Sequence, residues 1–206
     1  MNLKAKNTPQ LWVFVIGNIC ILFWMIFPTY LNELSKEIDV LAFLKILGYA
    51  IAPILLFLLN GLVSSDQKAV LVFWRFKDPL PGAEAFTNLS KKDYRINREK
   101  LKEIYGVLPK RPKDQNKLWY KIYQKNSSNL IIQASQGGFL LARDLTSLSV
   151  LFGLFLGIPV LIIGNWPINF FYFGVLILQY LVVCRVAQIK GRRFVNNVLA
   201  IESSQV

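Results

Sequence analysis

Cationic and aromatic side chains interleave through the middle of this chain, and that pairing of types has a chemistry. The set comprises Arg75, Lys77, Lys91, Lys92, Arg95, Arg98, Lys110, Arg111, Lys113, Lys117, Trp119, Tyr120, Lys121, Tyr123 and Lys125. Cations track phosphates, and flat rings stack on unpaired bases at ~1–3 kcal/mol per base, so single-stranded nucleic acid is one ligand such a set suits. A second reading stands beside it. Trp74 and Phe76 suit a membrane headgroup layer, Trp119 and Tyr120 suit a domain core, and the lysines suit topology or anionic lipid. Residues 64–144 hold sixteen Lys/Arg against eight Asp/Glu, which is +8 of the chain's net +12, and an anionic partner follows from either reading.

Enzymatic chemistry has little to work with. The chain contains no histidine, which excludes imidazole acid–base catalysis and His-metal centres. Cys20 and Cys184 fall inside apolar runs, where they act as small apolar residues, and no phosphate loop or nucleophile elbow is present. Carboxylates such as Asp78, Glu99 and Asp114 are dispersed among lysines as solvated charge. The chain is therefore expected to be a non-enzyme that needs no cofactor or metal.

The elements that must position the basic set are membrane-length apolar runs. Residues 11–27 and 41–63 are ~25 and ~34 Å long as helices, against a hydrocarbon core of ~30 Å. Two more runs lie at 145–164 and 168–187, joined by the tight turn Gly164-Asn165-Trp166-Pro167. The predicted fold is an all-α integral membrane protein with four transmembrane helices in two pairs. Its divisions are an N-terminal pair (1–63), a basic helical insert (64–144), a C-terminal hairpin (145–187) and a tail (188–206). The 30–39 loop is acidic, whereas the insert and the tail (Lys190, Arg192, Arg193) are basic. Retention of Lys/Arg on the cytoplasmic side puts both termini and the insert there, and the first run is expected to stay as an anchor, since no small-residue cleavage site follows it.

Within the insert, 64–77 reads as a straight continuation of the second span, stopped by Asp78-Pro79-Leu80-Pro81-Gly82. A short helix is expected at 83–89, another at 97–105 ending at Gly106, and an amphipathic one at 114–125 with Lys117, Lys121 and Lys125 along one face. Residues 130–144 then rise into the third span, with Gly137-Gly138 as a weak point or hinge.

Polar groups in the spans form a second candidate set for a pore or its gate: Asn18, Lys45, Pro53 and Asn60, with Gln179 in the fourth span. They are disfavoured in lipid unless they face protein or water. Lys45 suits a pore or snorkelling to the nearby surface equally, Asn18 suits a helix–helix hydrogen bond, and Pro53 and Pro159 suit kinks. Four helices enclose little conduit, so a channel requires a homo-oligomer with the pore on its axis.

The strings Trp74-Arg75-Phe76-Lys77-Asp78-Pro79-Leu80-Pro81-Gly82, Gln115-Asn116-Lys117-Leu118-Trp119-Tyr120 and Arg143-Asp144-Leu145-Thr146 resemble those of small bacterial membrane proteins. The relevant family is the channel effectors encoded beside nucleotidyltransferases in Hailong-type anti-phage defence. The resemblance covers the insert and its flanking spans. It implies an oligomeric ion channel of the bacterial inner membrane, gated by a single-stranded oligodeoxyadenylate that the partner nucleotidyltransferase makes, and depolarising infected cells. The competing expectation is a non-conducting anchor or scaffold whose basic domain docks anionic lipid or a partner protein.

Overall fold

A computed structural model describes the backbone of residues 3–34, 51 and 54–204 and the side chains of 6–25, 51 and 54–204. All regular structure among them is helical: α1 (Leu3–Leu34), α2 (Ile54–Leu62), α3 (Ser65–Phe73), α4 (Arg98–Tyr105), α5 (Pro112–Lys125), α6 (Leu130–Ile163) and α7 (Ile168–Ser204). Between α3 and α4 the chain makes a 3-10 turn at Pro81–Glu84, a π turn at Ala85–Leu89 and a single α turn at Ser90–Lys92. Among the described residues three helices are long and apolar enough to cross a membrane, at Lys6–Met25, Leu130–Ile163 and Ile168–Ser204; α2 with α3 passes the same test only as a bent pair.

That bend is the first departure from expectation. Residues 64–77 do not continue α2 straight: α3 leaves it at 102°. The cause is local. Ser64 is extended, its hydroxyl accepts from the Gln67 N–H (3.2 Å), and Gln67 Oε1 accepts from the Ser64 N–H (2.8 Å), a capping box that starts a new helix. Trp74, in the left-handed region at φ 55°, ends α3. A second break falls inside α6, where a π turn at Gly153–Gly157 precedes Pro159, whose ring lacks the N–H a regular helix would donate.

The second departure concerns the expected tail. Residues 188–204 are the far half of the 37-residue helix α7, and Phe194, Val195, Val198 and Leu199 lie buried in the core of the basic domain. Around that half pack α3, the 81–92 turns, α5 and the start of α6. Gly82 is required by close approach: a Cβ there would sit 2.7 Å from the Trp119 ring. A separate core, with Val15, Leu22, Phe152, Tyr172 and Leu176, fills the apolar bundle of α1, α2, α6 and α7. The 164–167 turn joins α6 to α7 as expected, with Asn169 Nδ2 donating to the Leu161 carbonyl (3.0 Å).

Candidate functional site

The basic residues do not form one surface. Three of them meet in a groove of about 680 Å³, within the ~300–1,000 Å³ usual for ligand sites. Lys91 comes from the turn after the π segment, Arg98 from the first turn of α4, and Lys110 from the loop that Gly106 opens at φ 73°. Lys102, one turn after Arg98 on α4, joins them and was absent from the sequence-derived set. Among the described residues no carboxylate lines the groove and no ion pair engages any of the four cations. Arg98 donates to the Phe86 carbonyl (3.4 Å), while its buried Nε has no hydrogen-bond partner among the described residues. Phe86, Val107, Leu108 and Pro109 supply apolar walls.

Gln115 fixes the two walls relative to each other. Buried in α5, its Oε1 accepts from the N–H groups of Phe86 (2.9 Å) and Thr87 (3.0 Å) and from the Thr87 hydroxyl (3.1 Å), while its Nε2 donates to the Lys110 carbonyl (2.8 Å). A buried amide with both ends used is held firmly, because each unmet partner costs about 1–3 kcal/mol. A glutamine at the head of an amphipathic helix carried no sequence signal beyond its apolar-face spacing with Trp119 and Ile122.

Other members of the set are engaged elsewhere. Arg75 pairs with Glu84, and Arg95 with Asp93 at 2.7 Å. The Arg95 hydrogen bond, working against burial, holds the Asp93 carboxyl below its ordinary value. Lys125 reaches Glu202 at 2.7 Å. Lys77, Lys92, Arg111, Lys113, Lys117 and Lys121 are exposed and lie outside the groove. The rings are a correction: Trp119 is only 6% exposed and packs edge-on against Phe194 (5.2 Å), with Tyr123 stacked on it (5.9 Å). Both are held in or against the core by the burial of α7, so of the three rings in the set Tyr120, 49% exposed, is the one open to solvent.

The pore candidates divide similarly. Asn18 is buried, and its Oδ1 accepts from Gln179 Nε2 (3.1 Å), so it joins α1 to α7 within one chain. Asn60 is buried two residues before α2 ends, and its Oδ1 has no hydrogen-bond partner among the described residues. Lys45 and Pro53 lie outside the described residues.

Two polar nodes connect the groove's domain to the bundle. Asp144 on α6 accepts from Lys68 of α3 (3.1 Å) and from Arg143 (3.1 Å), both cations being 7% exposed. At the other end of α3, Trp74 Nε1 donates to the Tyr180 hydroxyl (2.8 Å), which donates to the Leu71 carbonyl, and Gln188 Nε2 donates to the Val72 carbonyl (2.8 Å). Helix α3 is thus clamped to both long helices. Compared with known proteins, the chain matches no family model, no curated protein and no solved structure.

Proposed function

We propose that this is a multi-pass protein of the bacterial inner membrane, an effector in antiviral defence, whose cytoplasmic basic domain binds an anionic ligand and thereby controls ion leakage through a homo-oligomeric pore. The carrying observation is the groove: four cations without carboxylate partners, on walls that Gln115 holds in place. The bilayer reading is supported by the outward face of the bundle, where Trp24, Leu62 and Ile162 are 80%, 81% and 76% exposed; an apolar surface of this kind belongs against lipid or protein. The α2–α3 pair then serves as the inner end of the second span, bent along the membrane surface.

The ligand in this proposal is a short single-stranded oligonucleotide, an oligodeoxyadenylate on the Hailong-type resemblance, made by a partner nucleotidyltransferase. Its phosphates meet Lys91, Arg98, Lys102 and Lys110. The Phe86–Thr87 wall continues through Glu84, paired to Arg75, into α3, whose clamps on α6 and α7 bias the spans when the ligand prefers one arrangement. A non-conducting anchor or scaffold is the second reading, favoured by the Asn18–Gln179 bond, which satisfies both polar groups without a lumen.

Potassium-loaded proteoliposomes test both. Single-stranded oligodeoxyadenylate is expected to change potassium flux in the native protein, and Lys102→Gln with Lys110→Gln to abolish the response. Binding without any change in flux supports the anchor. Absence of binding by this probe and by inorganic polyphosphate at moderate salt overturns the ligand assignment.

A further inference from the structure

A second basic groove lies between α6 and α7, and the proposed ligand site does not use it. It has a volume of about 300 Å³ and is lined by Ala134, Ser135 and Gly138 of α6 and by Lys190, Arg193 and Asn197 of α7. Lys190 and Arg193 are exposed, and among the described residues no carboxylate lines the groove and no ion pair engages either cation. Gly138 makes the room: a Cβ there would stand 3.3 Å from Lys190 Nζ. Asn197 Nδ2 donates to the Ser135 hydroxyl (2.7 Å), which donates to the Ile131 carbonyl (2.8 Å), so the polar end of the groove is fixed.

Its depth identifies the anion's source. Asn7 of α1 donates to the Gly137 carbonyl (2.8 Å), which ties the foot of α1 to the residue beside Gly138. Leu11, where the apolar run of α1 begins, is four residues further, ~6 Å along a helix. The headgroup layer on each side of a bilayer is ~5–7 Å deep, so in the membrane orientation proposed above the groove opens at headgroup level. On the same face of α7, four and eight residues before Lys190 and toward the bundle, Val186 and Val182 are exposed and apolar. A soluble phosphate has no use for that strip, whereas an acyl chain does.

We propose that this groove binds the headgroup phosphate of an anionic phospholipid through Lys190 and Arg193, with the acyl chain along Val186 and Val182. The inference rests on the membrane reading and not on the channel reading. The test uses the full-length protein purified in mild detergent, with native mass spectrometry of added phosphatidylglycerol against phosphatidylcholine. Native protein is expected to prefer phosphatidylglycerol. Lys190→Gln with Arg193→Gln should lower its retention by at least about tenfold, as loss of two charge-assisted contacts to one phosphate predicts. Arg192→Gln removes one charge at the depth of Arg193 but about 100° around the helix, outside the groove, and should leave retention within about twofold. Equal losses in Arg192→Gln and Arg193→Gln would mean diffuse attraction and overturn the site. Displacement of the lipid by equimolar glycerol 3-phosphate would assign the groove to soluble phosphate and overturn the lipid. Release of the protein from membranes by alkaline carbonate would sink the membrane reading and this inference together, whereas retention in the pellet with unchanged lipid preference in the double variant sinks this inference alone.

Discussion

Helix α4 separates two basic regions that composition alone makes equivalent. Toward α7, Tyr105 and Lys125 converge with Asn126 on Glu202, a carboxylate with no exposed surface. Toward the 106–110 loop, Arg98 and Lys102 face Lys91 and Lys110 with no acid between them. Charge in the first region is neutralised and holds the fold; charge in the second is held in place without a partner and so remains available to a ligand. Net charge says that an anion is wanted, but only the distribution of carboxylates says where.

The sharpest break in the engaged class is expected at Asp144. Asp144→Ala strips the carboxylate from Lys68 and Arg143, both nearly buried, and should cost about 3–5 kcal/mol in chemical unfolding of the detergent-solubilised protein. Glu202→Ala should follow at about 2–4 kcal/mol, since it strands the buried Asn126 amide and the Tyr105 hydroxyl. Its pH dependence is diagnostic. Burial pushes the Glu202 carboxyl up, but hydrogen bonds from Lys125, Tyr105 and Asn126 together bring it below its ordinary 4.5. Because the folded value is the lower one, this stabilisation is present above pH 4.5 and is lost as pH falls through the folded value; Glu202→Gln should flatten that acid limb. Burial and the bond to Glu202 raise the Tyr105 phenol above 10.0, so a second loss is expected as pH climbs past 10.0.

Gln115→Leu tests the boundary between the classes. It should cost about 1–3 kcal/mol and also weaken oligonucleotide binding in a fluorescence titration, because both groove walls lose their common anchor. The double substitution Lys102→Gln, Lys110→Gln should leave the unfolding midpoint within about 0.5 kcal/mol of native, as exposed substitutions generally do. It should also lower affinity and flatten its salt dependence by roughly the two phosphate contacts removed. A large stability loss in this variant would erase the distinction between the two regions.

Much of the helix plan was readable. Apolar run length placed α6, α7 and their turn, and Asn97 with Gly106 bounded α4 as caps do. What escaped had definite causes. The run Lys190, Arg192, Arg193 masked the apolar repeat Phe194, Val195, Val198, Leu199 that carries α7 into the domain core. The Ser64-to-Gln67 capping box is a short polar signal between two apolar stretches, and the apolar pattern on either side of it reads as one continuous helix. In the site, Lys91, Arg98 and Lys110 were foreseen as cations, but their convergence depends on a loop folded over Gln115, a contact between residues about thirty positions apart. Trp119 was ambiguous in sequence because the same ring serves a core or a base, and only the partner, Phe194, decides.

Helix α7 carries a mechanical consequence. Its 37 residues make a rod ~55 Å long with no proline in it, one half embedded in each core. A pivot of ~5° about its midpoint swings each end by ~2.4 Å, given that length. Pivoting as a rigid rod, it would act as a lever: Phe194, ~12 Å from the midpoint, and Tyr172, ~21 Å on the other side of it, would move by ~1 and ~1.8 Å in opposite directions.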